Sequence, residues 1–209
     1  MSEPGAVAQS LEEILPGLFH YGVRDERIDW NSEAYALVDG GRVVLIDPLP
    51  LVEAEVRRLG KVEAILLGTA AHQRSAWRLR RASGAPVHAP RGAKGLDEAA
   101  DVSYADGERL PGGVRALHAP GPCESHYVLY LASGPGILFL ADLVLREPGG
   151  RIRFVADDHM SDPSRARRSA RHLLEYRFDI LCFGHGSPIT AKGRAAFEEM
   201  LERDGGSRE

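Results

Sequence analysis

Apolar residues in this chain come in short runs cut off from one another by Gly and Pro. Runs of that length, bounded by turn residues, predict strands rather than long helices. The first lies at residues 18–23. Runs at 34–38 and 42–46 flank Asp39-Gly40-Gly41, where Gly supplies the positive φ of a tight turn, so the pair predicts a β-hairpin. The second of these strands ends in Asp47-Pro48. Val52, Val56 and Leu59 then recur at helical spacing with Gly60 as a stop, predicting a helix over 52–59. A β-rich run at 62–67, a helix over 73–82 and a strand at 85–89 complete this half.

The second half opens with short strands at 102–104, 114–118, 127–131, 137–140 and 152–155, joined by Gly/Pro turns. Asp162-Pro163 starts a helix running to about residue 176, with Asp162 as N-cap and Pro163 in the tolerated first position. A strand at 180–183 runs into Gly184-His185-Gly186, and an amphipathic helix over 195–203 follows. Strands and helices thus appear twice with no disordered linker between. That order fits one α/β (α+β) domain over 11–203, a four-layer αββα sandwich with two sheets face to face and helices outside. Residues 1–10, small and polar, are expected to be disordered, and 204–209 to form a frayed tail.

Composition narrows the function classes. A chain of 209 residues with 44% hydrophobic content can bury a core without disulfides or metal. Its two cysteines, Cys123 and Cys182, are far apart, as expected of a reduced, cytoplasmic protein. A net charge of −4, with basic residues spread along the chain, argues against a nucleic-acid partner. No stretch approaches the ~18 apolar residues of a membrane span, and no signal-like segment opens the chain. A small-molecule substrate or ligand is the expected partner, and a homodimer is left open.

Three strand-to-loop junctions place polar groups directly after buried runs, where a rigid sheet can hold reactive groups. They are Gly68-Thr69-Ala70-Ala71-His72-Gln73-Arg74-Ser75, Leu140-Ala141-Asp142 and Phe183-Gly184-His185-Gly186. Their order, with Asp47-Pro48 before them, resembles the metallo-β-lactamase superfamily over nearly the whole chain. Leu138-Phe139-Leu140-Ala141-Asp142 resembles its strand ending in a metal-bridging Asp. Gly184-His185-Gly186-Ser187-Pro188 resembles its late metal-ligand loop, and His118-Ala119-Pro120-Gly121 resembles the start of its Pro-Gly-His loop. The departures are equally plain. The family's His-x-His-x-Asp-His stretch keeps only His72, with Arg74 and Ser75 where Asp and His are expected, and Pro122 stands where the loop His belongs.

The resemblance therefore implies a reduced donor set: His72, Asp142 and His185, with His126 as a fourth. That set holds at most one Zn (or Fe or Mn) ion, and two are not expected. Asp142 is either a ligand or the general base. Asp47 is expected to hydrogen-bond the first metal loop. Arg74 is expected either at the helix surface or against Asp142 or Asp47, replacing the metal's charge. Two functions follow: a mononuclear metallohydrolase of a small ester, thioester or lactone, or a metal-free binding protein of the same fold. His159, in the polar cluster Asp157-Asp158-His159, and Trp30 and Tyr35, near the first hairpin, are further candidates for the cleft.

Overall fold

The computed structural model describes residues 3–206. Its larger sheet has seven strands in sequence order: β1 (Glu12–Leu15), β2 (Leu18–Asp25), β3 (Trp30–Asp39), β4 (Arg42–Ile46), β5 (Lys61–Leu66), β6 (Val87–Pro90) and β7 (Val102–Tyr104). Strands β1 to β4 pair antiparallel and β4 to β7 parallel. Helices α1 (Glu53–Leu59) and α2 (Ala76–Ser83) make two of the parallel crossovers. The second sheet contains β8 (Arg115–His118), β9 (Tyr127–Leu131), β10 (Ile137–Phe139) and β13 (Ile180–Cys182), in the order β13-β10-β9-β8. A small hairpin, β11 (Val144–Arg146) and β12 (Ile152–Phe154), and helices α3 (Pro163–Leu173) and α4 (Gly193–Gly206) complete the fold. Among the described residues no helix is long and apolar enough to cross a membrane.

Period-two patterning sorts the side chains into layers. On β4, Val44 and Ile46 enter the core between the sheets, while Val43 and Leu45 face the layer holding Trp77 and Leu79 of α2. On β13, Ile180 and Cys182 point between the sheets, and Leu181 packs with Phe197 and Met200 of α4. Both faces of β4 from Val43 onward, and both faces of β13, are buried, which is why these stretches are apolar without alternation. This is the expected four-layer sandwich.

The topology also decides where the strand ends meet. Strands β4 and β5 run parallel, as do β10 and β13, so each pair delivers its C-terminal loops to one edge. Strand β3 runs against β4, and β9 against β10, so the starts of β3 and β9 reach the same edges.

Several local expectations change. The helix foreseen over 73–82 is split: a 3₁₀ turn covers Ala70–Gln73, and α2 begins at Ala76. Arg74, at φ 29°, lies in the left-handed region and breaks the helical path. Asp162 does cap α3, its side chain accepting from the Arg165 amide at 2.8 Å. Residues 3–10, expected to be disordered, make contacts with the body of the fold. Ala8 is buried and bridges Leu51, and the Glu3 carboxylate accepts from Ser75 and Arg78. At the other end α4 runs through Asp204, the start of the expected tail, which pairs with Arg167 at 2.8 Å. Residues 1–2 and 207–209 lie outside the described residues.

Candidate metal centre

Four strand ends converge at one edge of the sandwich. Asp47 follows β4 and accepts the Gly68 amide on Oδ1 at 2.8 Å, tying the two parallel strands together. Its other oxygen, Oδ2, lies 2.9 Å from His72 Nδ1. The opposite ring nitrogen, His72 Nε2, lies 3.0 Å from Asp142 Oδ1. His185 Nε2 approaches the same oxygen at 3.3 Å, and its Nδ1 donates to the Asn31 carbonyl at 3.0 Å. Donor atoms of His72, Asp142 and His185 all lie within 4.8 Å of one another.

Backbone strain is concentrated at this edge. Asp47, Arg74 and Ala141, none of them glycine, all have positive φ, at 48°, 29° and 45°. Such conformations persist only where the surroundings enforce them. Close approach also explains Gly184: a β-carbon there would sit 2.5 Å from His72 Cε1 and 2.8 Å from the Ala141 carbonyl oxygen. Gly-His-Gly is thus a turn shaped around the His72 ring.

The Asn31 carbonyl can only accept, so His185 carries its proton on Nδ1. His72 lies between two carboxylates, and the tautomer that donates from Nδ1 to Asp47 leaves its Nε2 bare toward Asp142. In that tautomer both Nε2 atoms face one carboxylate oxygen, an acceptor facing an acceptor. A cation between them, or a second proton on each ring, removes that conflict. Without a cation, burial and the Arg74 charge oppose protonation of His72, but Asp142 and Asp47 outweigh them and raise its pKa. Asp142 moves the other way: burial would raise it, yet the two histidines hold its carboxyl well below the usual range.

His126 is not brought into this set. Its Nδ1 donates to the Ala119 carbonyl at 2.9 Å, and its Nε2 accepts the Asp142 amide at 3.1 Å. Both nitrogens are therefore committed to backbone, and burial first of all pushes its pKa down to about 4. It aims the Asp142 backbone and offers no lone pair to a metal.

Arg74 is buried, but it does not neutralise either carboxylate by contact. Its guanidinium donates to the backbone carbonyls of Glu33 at 2.9 Å, Asp47 at 3.3 Å and Gly184 at 3.4 Å. It links β3, β4 and the Gly184 turn, the loops that frame the donor set, as a positive strut.

A cleft of about 910 Å³ opens over Asp142 and His185. Trp30 lines it, as does His159, whereas Tyr35 is buried in the core and donates to the Phe183 carbonyl. Cys123, half-buried, also faces the cleft, while Cys182 is a buried core residue. Two contributors escaped the sequence. Asn31 acts through a backbone carbonyl, which any residue would carry. Lys94 sits in a loop whose only signal was its flanking Gly92 and Gly95.

A family model described as the metallo-β-lactamase superfamily matches residues 13–203. No curated protein matches the chain. Solved structures share its fold at low identity. The metallo-β-lactamase DIM-1 is 16% identical with a TM-score of 0.76, covering 95% of this chain and 99% of its own. TMB-1 is 17% identical with a TM-score of 0.71, covering 96% and 99%. An archaeal metallo-β-lactamase superfamily protein, ST1585 from Sulfolobus tokodaii, is 16% identical with a TM-score of 0.65, covering 88% and 85%.

Proposed function

The chain belongs to the metallo-β-lactamase superfamily, and from that premise we propose that it is a mononuclear metal-dependent hydrolase of a small ester, thioester or lactone. One observation carries the reading: two imidazoles with their Nδ1 protons committed elsewhere turn both Nε2 lone pairs toward the same Asp142 oxygen. The residues present fit one divalent ion. Two His and one carboxylate are a donor set used by zinc and by non-haem iron, with positions left open. A second ion has no comparable set among the described residues.

His72, Asp142 and His185 would hold the ion, which would supply Lewis acidity and lower the pKa of water toward neutral. The chain's own groups do the rest. Asp47 and the Asn31 carbonyl hold the two rings in the tautomer that leaves Nε2 free. Asp142, drawn strongly toward its ionised form, serves better as a ligand than as a proton acceptor. The cleft above seats the substrate against these groups. Arg74, bonded to carbonyls and not to carboxylates, acts as a strut and not as a replacement for the ion, which weighs against the metal-free binding protein.

The test is to load purified protein with Zn, Fe or Mn and assay an ester, thioester and lactone panel beside His185→Ala. The reading expects hydrolysis that needs metal, and loss of both activity and bound metal in the variant. Hydrolysis that is unchanged by chelation, or wild-type metal retention in His185→Ala, would overturn it.

A further inference from the structure

The cleft has an apolar wall and, among the described residues, one cation without an ion-pair partner. Ile28, Trp30, Leu145 and Val155 line it, and Ile28 is 52% exposed. Exposed apolar surface inside a cleft favours a ligand with an apolar body. The charged groups around it are almost all satisfied within the protein. Asp142 faces two histidines, Glu124 pairs with Arg165, and Arg153 pairs with Glu147 at 2.6 Å. Lys94 has no ion-pair partner among the described residues.

Nor is Lys94 on a loose loop. Gln73, next to His72 and only 4% exposed, pins it at two points just after Lys94. The Gln73 amide donates to the Gly95 carbonyl at 3.0 Å, and its oxygen accepts from the Asp97 amide at 2.6 Å. Trp77 Nε1 holds that same oxygen at 2.7 Å, anchoring the arrangement to α2. Gly92 and Gly95, at φ 78° and 79°, turn the backbone sharply on either side. The loop is thus fixed by the residue adjoining the metal ligand, with its ammonium group left for something outside the protein.

We propose that Lys94 is the anion-binding group of this cleft and selects substrates bearing a carboxylate on an apolar acyl body. The proposal rests on the cleft being the substrate site. Ammonium and carboxylate meet at a partly solvated rim, so the preference is modest and salt-sensitive. Arg153 cannot supply it equally, being already paired with Glu147.

Trp30 lines the cleft and Trp77 is buried outside it, so tryptophan fluorescence reports occupancy directly. The probes are N-hexanoylglycine and its neutral methylamide, titrated into metal-loaded and chelator-treated protein. Wild type is expected to bind the anion about twofold to fivefold more tightly in both metal states. Lys94→Gln should abolish that preference and Lys94→Glu reverse it. A preference that survives Lys94→Gln, or one that vanishes on chelation with Lys94 intact, would overturn the proposal. Failure of the hydrolase reading leaves this preference standing, so the two can fail separately.

Discussion

Asp47 makes two hydrogen bonds with two oxygens, one to the Gly68 amide and one to His72 Nδ1. Asp47→Asn keeps the shape but sets an N–H against one of those donors. Metal affinity is expected to fall about 10-fold to 100-fold with the fold retained. Competition with a chelator of known affinity measures it, and an unchanged affinity would remove the orienting role. His126 makes a different kind of prediction. Its pKa is pushed down to about 4, so the folded ring stays neutral while the unfolded one takes a proton near ~6.5. Its contribution is therefore whole above ~6.5 and drains away as pH falls toward the folded value, by about 3 kcal/mol. His72 runs oppositely, since its pKa is raised. Comparing wild type with His126→Gln isolates the former. The stability gap between them should narrow by about that amount from pH 7 to pH 4, measured by urea unfolding; a constant gap would mean the ring is not held neutral.

Among the elements, the Gly184 turn is the most exacting. Gly184→Ala forces a β-carbon against the His72 ring and the Ala141 carbonyl, and should cost about 1–3 kcal/mol as well as weakening metal binding. Thermal unfolding with and without metal reads both effects, and a variant that unfolds and binds like wild type would show that the turn has room to spare. This turn was legible in the sequence because glycine on both sides of a His after an apolar strand has few uses. His72 and Asp142 were legible for a related reason, since residue type and position at a strand end are both written in the chain. His126 was not. It sits near the right place, but whether its nitrogens face the cleft or the backbone depends on side-chain direction, which spacing does not encode. Arg74 fits neither expectation, surface helix residue or partner of a carboxylate, because its three carbonyl acceptors belong to segments far apart in sequence. The short strands β1 and β11, absent from the expected pattern, are each paired antiparallel with the strand that follows.

At the scale of the molecule, each half supplies part of the centre. Asp47 and His72 come from the seven-stranded sheet and its loops, Asp142 and His185 from the ends of β10 and β13. The layered fold was readable from element order because each sheet and helix face must bury its apolar side. The reduced donor set was readable as a count of ligands; the three that meet, and the one that turns away, needed coordinates. One cation bound across the two halves would stabilise the folded state by mass action, by about 2.7 kcal/mol at a free concentration 100 times its dissociation constant. Lys94 and the apolar wall then act on what enters the cleft, without affecting whether the ion is held.

The most direct measurement is elemental analysis of protein purified without chelator, combined with anomalous scattering from its crystals. The account predicts one Zn, Fe or Mn ion per chain, with its anomalous peak among His72, Asp142 and His185. Metal content well below one per chain, with no peak at those residues even after metal is added, would contradict it.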